Sequence, residues 1–377
     1  MGTAKKLIAI VCLAVACIMI IGAGALVYLD RGSSSSFNQS FLLPPHIATV
    51  QPFSEVASLP SSNATGTPSP KATRTPTRTR LTGFQGIYVF NGNNASTFSD
   101  NPSVAGTYLG YYWAQLEPQN GQYNWDLIDN DMKPWVNNGK HVIVRVSTAG
   151  WKNWQPPNSQ QGTPQWVYNL GVSSVMEADG AIKPQYWNPV FLQNLNNFVK
   201  AFASRYDGNT SISAVEIGVG DGGETKPDTY FKNNPKILST WMGIGYTDQV
   251  WWSTVQHIID IYRASFHQMP LAAMPDATFI GGTRGYNEQL VLDYAVAHNL
   301  WLQDNGLIAN RTLPAQWKKV PVISEQRNTT DLSGDTMQQD VQAALQNNAV
   351  ILMVFASDIV KGANQPALAQ AASMVKR

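Results

Sequence analysis

From residue 83 to the C-terminus, short apolar segments alternate with longer segments of helical periodicity, and this alternation occurs eight times. Such a pattern is typical of a parallel sheet covered by crossover helices. Eight repeats within residues 83–377 predict a closed (β/α)8 barrel, the TIM-barrel fold, which usually needs about 250 residues. The predicted strands are residues 84–90, 107–113, 141–147, 212–219, 278–282, 300–303, 320–325 and 350–356.

The segments between the strands have apolar residues at helical spacing. Phe191 shares one helix face with Leu195, Phe198 and Phe202, and a second apolar face spans residues 251–266. Asp335 with Gln338 predicts a capping box, the reciprocal pair of side-chain hydrogen bonds that opens a helix, after the seventh strand. These faces indicate helices that pack around the barrel.

The loops differ in length at the two ends of the predicted barrel. Helix-to-strand connections are short, whereas residues 148–189 and 220–247 form long connections after the third and fourth strands. Barrel enzymes build their active sites from the loops that follow the strands, so the long loops indicate the functional end. The first of them carries Trp151, Trp154, Trp166 and Trp187, which we expect to stack against sugar rings. The alternative is that these tryptophans pack between helices and barrel.

The N-terminal region differs from the barrel in composition. Lys5 and Lys6 precede an apolar run at residues 7–29, whose 23 residues would span roughly 34 Å as a helix, enough to cross a bilayer. Residues 1–29 are therefore predicted to be a signal anchor in the cell membrane, with the barrel domain, 83–377, outside the cytoplasm. A cleaved signal peptide, which would release a secreted protein, is the alternative. The Ser/Thr/Pro-rich residues 30–82 are predicted to be a disordered stalk between the two.

Charge, cysteine and histidine content exclude several classes of function. The formal net charge of +1 gives no reason to expect a nucleic acid partner, so the membrane contact is assigned to the N-terminal segment alone. Both cysteines, Cys12 and Cys17, lie in that segment, which excludes thiol catalysis in the barrel domain. The five histidines are scattered, so no catalytic metal and no cofactor is predicted. Residues 218–223 match the G-x-G-x-x-G dinucleotide pattern, but they follow the fourth strand rather than the first, and no helix is expected to begin there.

Three glutamates occur on or just after predicted strands. Glu325 lies at the C-terminal end of the seventh strand, in KVPVISEQR, where a side chain points into the mouth of a barrel. Glu216 lies inside the fourth strand, and a buried ion pair with Arg145 on the third strand is its structural alternative. Glu224 follows the same strand in a glycine-rich turn. Hydrolysis of a glycosidic bond needs two carboxyl groups, one to protonate the leaving oxygen and one to attack or to activate water.

Longer segments around these residues resemble a known superfamily. YYWAQLEPQNGQYNWDLID and GKHVIVRVS, with YWNPVFLQNLNNFVKAFASRYDGNTSISAVEIGVGDGGE, are similar to the retaining (β/α)8 glycoside hydrolases of clan A, including β-galactosidase-like and uncharacterised barrel hydrolases. The resemblance covers nearly all of residues 83–377. It implies an acid/base at Glu224 and a nucleophile at Glu325.

Two features leave alternatives open within this resemblance. Many clan members have Asn directly before the acid/base, whereas Gly223 precedes Glu224 here, so Glu216 remains an alternative acid/base. β-Amylases, also barrels, have Gly-Glu after the fourth strand and invert configuration, so the stereochemical course is open.

The expected activity is therefore that of a glycosidase acting on an extracellular oligo- or polysaccharide. The alternatives are a catalytically inactive barrel that binds carbohydrate at the cell surface, and a transglycosylase that uses the same two carboxylates. The residues expected to bind substrate, from their positions at strand ends or in loops, are Tyr112, Trp113, Trp151, Trp154, Arg284, Tyr286 and Gln326.

Overall fold

The computed structural model describes residues 83–90, 95–150, 161–177, 179–229, 234–276 and 284–375, all of which belong to one compact unit, Ala72–Arg377. The predicted anchor, the stalk, Trp151, Trp154 and residues 278–282 lie outside the described residues. None of the helices within these ranges has the length and apolar character needed to cross a membrane.

Eight parallel strands close into a barrel, which confirms the predicted TIM-barrel fold. The barrel strands follow the order β1-β2-β3-β6-β7-β8-β9-β10, and β10 pairs with β1 to close the ring. The remaining two strands form an antiparallel hairpin in the long loop after β3. The bounds are β1 Gly86–Phe90, β2 Gly106–Tyr112, β3 His141–Ser147, β4 Ser174–Met176, β5 Ile182–Pro184, β6 Ile212–Glu216, β7 Leu271–Ala273, β8 Trp301–Leu307, β9 Val322–Gln326 and β10 Ala349–Phe355.

The fifth barrel strand is β7, so its predicted position at residues 278–282 is wrong. Leu271–Ala273 is three residues long and two of them are alanine, which is depleted in strands, so the local signal is weak. Pairing with β6 on one side and β8 on the other forms this strand.

Helices surround the barrel. The two longest, Pro189–Tyr206 and Asp248–Ser265, bury the apolar faces that the sequence predicted, with Phe191, Phe198 and Trp251 fully buried. The bounds are α1 Trp113–Leu116, α2 Asp126–Asn137, α3 Gln165–Asn169, α4 Pro189–Tyr206, α5 Pro235–Gly243, α6 Asp248–Ser265, α7 Arg284–Ala297, α8 Thr330–Ser333, α9 Met337–Gln346, α10 Ala356–Val360 and α11 Gln365–Ser373.

The capping box of α9 lies one residue later than predicted. The Thr336 hydroxyl accepts a hydrogen bond from the Gln339 backbone N–H, and the Gln339 side chain accepts one from the Thr336 N–H at 2.8 Å. Asp335 does not cap this helix because its carboxylate accepts a hydrogen bond from the Ala309 N–H at 2.9 Å. The helix therefore begins with the local pair Thr336 and Gln339, one residue after the predicted pair.

Two apolar layers lie on opposite sides of the barrel wall. The inner layer fills the barrel with side chains from alternate strand positions, among them Tyr108, Ile143 and Ile323. The outer layer packs the other strand faces against the helices. A side chain on the inner face near the C-terminal end of a strand therefore lies at the mouth of the barrel.

Candidate active site

Arg145 and Glu216 lie opposite each other on adjacent strands, β3 and β6, on the inner face of the barrel. The Arg145 Nη1 atom is 3.5 Å from Glu216 Oε2, which confirms the predicted buried ion pair. The guanidinium also lies over the ring of Tyr108, 4.7 Å from its centroid. This geometry places one positive charge beneath the mouth of the barrel.

Glu216 is completely buried, and neither of its carboxylate oxygens accepts a hydrogen bond from a described residue. Burial raises the pKa of this carboxyl to about 7, and the nearby Arg145 opposes the rise. A group so enclosed is poorly placed to touch a sugar.

Glu325 lies on β9 on the same inner face as Ile323, close to the C-terminal end of the strand, as predicted. The side-chain amide of Gln303 donates a hydrogen bond to Glu325 Oε2 at 3.1 Å. Burial raises the pKa of Glu325, and the charges of Glu216 and Glu224 add to the rise while Arg145 opposes it; together these effects place the pKa at about 8.

Glu224 directly follows a short 3-10 turn, Asp221–Gly223, which leads away from β6. Its Oε2 atom forms an ion pair with Lys226, and its Oε1 atom accepts a hydrogen bond from Asn305 Nδ2 at 2.8 Å. Lys226 also lies 3.0 Å from Asp276. The Glu224 side chain is 17% exposed, so it is held in place but remains accessible.

The glycines of this turn permit close packing. A Cβ atom at Gly220 would lie 2.0 Å from the Lys226 carbonyl oxygen. Gly223 has φ +84, and its Cβ atom would lie 2.7 Å from both Arg145 Cδ and Met274 Cε. The G-x-G-x-x-G pattern thus serves a tight turn that aims Glu224, and no long helix begins there.

Two predicted substrate-binding residues face away from the mouth. Trp113 is fully buried in the outer layer, where its Nε1 donates to Glu117 at 2.7 Å. Gln326 donates to Asp340 at 2.7 Å and accepts from the Phe355 N–H, on the outer side of β9. Gln326 follows the inward-facing Glu325 on β9, and adjacent residues of a strand point to opposite faces, whereas Trp113 begins α1. Neither side chain lies at the mouth of the barrel.

Trp166 and Trp187 are also structural. Trp166 donates its ring N–H to the Glu117 carbonyl at 3.1 Å and packs edge-on against Trp113. Trp187 donates to the Ile244 carbonyl at 3.3 Å and packs against Trp241. These contacts favour the alternative interpretation, in which the two tryptophans pack between helices and barrel.

The other predicted binding residues stay predictions. Tyr112 ends β2 on the same strand face as Tyr108 and is 2% exposed. The side chains of Arg284 and Tyr286 lie outside the described residues, as do Trp151 and Trp154.

Sequence reasoning missed four residues on the inner face. Gln303 and Asn305 on β8 contact the two accessible glutamates directly. Phe90 and Phe355, at the ends of β1 and β10, are partly exposed, and their ring centroids lie 5.4 Å apart. The signal for Asn305 was its i, i+2 spacing from Gln303, but the predicted strand ended too early to include it.

The mouth therefore holds three carboxyl groups and Arg145, which interacts electrostatically with Glu216, Glu224 and Glu325. Among the described residues there is no group of three or more His, Cys, Asp or Glu side chains that could hold a metal ion. The arrangement provides carboxyl groups for acid/base or nucleophilic chemistry, with Gln303 and Asn305 as neutral donors.

Comparison with known proteins agrees with this chemistry. Residues 103–258 match the family model described as β-galactosidase, of glycoside hydrolase family 42; the matched region contains Glu216 and Glu224. A search of curated protein sequences found no match.

A solved structure with a TM-score above 0.5 shares the fold. The catalytic domain of β-amylase from Paenibacillus polymyxa superposes with a TM-score of 0.57 at 12% identity, over 79% of this chain and 100% of that one. The β-galactosidase from the psychrophilic Marinomonas ef1 has a TM-score of 0.48 at 10% identity, over 76% of this chain and 59% of that one. The cold-adapted β-galactosidase from Rahnella sp. R3 has a TM-score of 0.44 at 11% identity, over 79% and 57%. The chain thus spans less than two thirds of these two β-galactosidases. The barrel, its carboxyl cluster and the family match together show that this chain resembles the clan A (β/α)8 glycoside hydrolases and support a glycosidase.

Proposed function

We propose that this protein hydrolyses O-glycosidic bonds of an extracellular oligo- or polysaccharide with Glu224 and Glu325 as the catalytic pair. The observation that carries the proposal is the difference in accessibility among the three carboxyl groups. Glu216 is enclosed and paired with Arg145, whereas Glu224 and Glu325 are partly exposed and are both bound by side-chain amides of β8. Two accessible carboxyl groups at one barrel mouth are the minimum that the reaction requires.

The roles follow from the chemistry and from the resemblance. Glu224 protonates the leaving glycosidic oxygen, and Glu325 attacks the anomeric carbon to form a glycosyl-enzyme, which water then hydrolyses with Glu224 acting as base. The resemblance to retaining clan A enzymes favours this double displacement. Glu325 must be ionised to attack, so its raised pKa makes the reaction depend on pH.

Arg145 and Glu216 lie deeper in the barrel than the proposed catalytic pair, and the charge of Arg145 acts on both Glu224 and Glu325. Three ionised carboxylates close together repel one another, and the guanidinium offsets part of that repulsion. Arg145 also opposes the burial that raises the pKa of Glu325, and so favours its reactive form.

The location outside the cytoplasm is a further part of the proposal. Its support is the sequence alone: Lys5 and Lys6 before the apolar residues 7–29, and the Ser/Thr/Pro-rich stalk. Protease treatment of intact cells tests it, since an external barrel domain is cleaved from the anchor without lysis.

The catalytic test compares wild type with Glu224→Gln and Glu325→Gln on a panel of aryl glycosides and polysaccharides. Each substitution is expected to lower kcat at least about 10²–10⁴-fold. Glu224→Ala should lose less on substrates with an acidic leaving group, because a good leaving group needs little protonation. Glu117→Gln is the matched control, since Glu117 is buried and accepts hydrogen bonds from the Trp113 ring N–H and the Gly121 N–H.

Analysis of the product distinguishes retention, inversion and transglycosylation. The anomer that appears first in NMR distinguishes retention from inversion, and a sugar acceptor in the product identifies a transglycosylase. If Glu224→Gln and Glu325→Gln turn over substrate at the wild-type rate, the proposed pair is wrong. If no substrate is turned over while a polysaccharide binds equally to wild type and both variants, the protein is a carbohydrate-binding barrel.

A further inference from the structure

Gln303 and Asn305 occupy successive inner positions of β8, and their amides join the two accessible glutamates. Gln303 Nε2 donates to Glu325 Oε2 at 3.1 Å and to Asn305 Oδ1 at 2.8 Å. Asn305 Nδ2 in turn donates to Glu224 Oε1 at 2.8 Å. The result is a continuous hydrogen-bonded path, Glu325–Gln303–Asn305–Glu224.

This path has a direction. Gln303 uses both N–H groups as donors, so Asn305 must present its oxygen to Gln303 and its nitrogen to Glu224. Glu325 therefore receives an amide N–H from Gln303, and Glu224 receives one from Asn305. The Gln303 side chain is completely buried, which limits the freedom of its amide to turn away.

We propose that Gln303 and Asn305 are positioning residues, which fix the separation of Glu224 and Glu325 and stabilise the ionised form of Glu325 through the Gln303 amide. The inference rests on the proposed catalytic pair. An N–H that donates to a carboxylate favours the charged state, because the developing charge strengthens the hydrogen bond.

The surroundings of Glu325 disfavour its ionised form, so a hydrogen bond from the Gln303 amide matters for its pKa. Burial and neighbouring carboxylates raise the pKa of Glu325 to about 8, and Arg145 opposes that rise. The Gln303 amide is a donor in direct contact that adds to the effect of Arg145 without adding a charge. The titratable or charged groups that interact with Glu325 are Tyr108, Arg145, Glu216, Glu224 and Asp304.

A direct test measures the pKa of Glu325 without relying on turnover. The chain has seven glutamates, so selective 13C labelling of glutamate side-chain carboxyls gives few signals, and Glu325→Gln assigns the relevant one. The full-length chain is titrated as wild type and as Gln303→Met, which keeps a similar volume but removes both donors. We expect the Glu325 pKa to rise by about one unit in Gln303→Met.

Two further variants separate positioning from general stability. Gln326→Met removes a buried amide from the outer side of β9, and it should lower the melting temperature without moving the Glu325 pKa. Asn305→Ala removes the donor to Glu224, so it should move the Glu224 carboxyl signal more than that of Glu325.

The pH dependence of kcat/KM is a second measurement, and unlike the titration it depends on the proposed function. The acid limb of kcat/KM should move to higher pH in Gln303→Met, by the same amount as the titrated pKa. An unchanged Glu325 pKa in folded Gln303→Met overturns the inference, whatever the activity. A shifted pKa in a protein that hydrolyses nothing supports the inference but contradicts the proposed hydrolysis. If Gln303→Met does not fold, an unchanged Glu224 carboxyl signal together with an unchanged Glu325 pKa in Asn305→Ala overturns the inference.

Discussion

The Arg145 side chain fills the space that a Cβ atom at Gly223 would occupy, with Arg145 Cδ 2.7 Å from that position. The arginine that pairs with Glu216 thus also packs against the turn that carries Glu224. This contact explains why the residue directly before Glu224 is glycine, where many clan A enzymes have asparagine. A larger residue would displace either the arginine or the turn.

Gly223→Ala is therefore expected to lower the free energy of unfolding by roughly 2–4 kcal/mol, since positive φ strain and a clash with Arg145 and Met274 act together. Urea unfolding measures the loss. Gly222→Ala is the matched control, because Gly222 also has positive φ but has no atom within 4 Å of its Cβ position. Equal losses in the two variants would show that the packing against Arg145 contributes nothing.

Activity should depend on the ionisation of Glu325. The free-enzyme pKa of Glu325 is raised to about 8, so on a substrate whose leaving group needs no protonation kcat/KM should increase as pH rises toward about 8 and then level off. A kcat/KM profile on a neutral aryl glycoside with an acidic leaving group measures this. A rate that falls over the same range would instead assign the acid role to Glu325.

Glu325 should also make folding less stable as pH rises. Its folded pKa lies above the unfolded value of about 4.3, so its contribution is fully present below about pH 4 and is lost as pH rises to about 8. Glu325→Gln removes the buried charge and should stabilise the protein at pH 8 by roughly 3–5 kcal/mol, but not at pH 4. Thermal unfolding at both pH values measures the difference. A stabilisation that is equal at both pH values would exclude titration of Glu325 as its cause.

Lys183 should be essential to the loops above the mouth. Lys183, on the hairpin strand β5, is completely buried; its Nζ donates to the Gly150 carbonyl at 2.8 Å, pairs with Asp221 and lies 3.5 Å from Glu177. Lys183→Met leaves buried carboxylates without their cation, which should cost about 3–5 kcal/mol of unfolding free energy.

The control for Lys183 is a surface ion pair. Lys361 pairs with Asp331, which is 76% exposed, so Lys361→Met should cost less than about 1 kcal/mol. Because Asp221 opens the turn before Glu224, hydrogen exchange of that turn should also increase in Lys183→Met alone. Unchanged exchange there would show that Lys183 does not hold the turn.

Part of the site followed from sequence periodicity. The period of two along a strand placed Glu325 at the barrel mouth and paired Glu216 with Arg145. The same period, applied more strictly, would have excluded Gln326, whose side chain points to the opposite side from that of Glu325. Trp113 lies beyond the end of β2 and begins α1, which packs its ring in the outer layer.

The pattern of apolar residues along the chain was enough to predict the barrel, the end at which its loops are long, and the positions of the three glutamates on or after their strands, because this pattern is a local property. The three-dimensional contacts were needed to show that Leu271–Ala273 is a strand, that Trp166 and Trp187 are packed, and that two amides join Glu224 to Glu325. Burial, hydrogen-bond partners and accessibility depend on residues distant in the sequence. No local pattern specifies them.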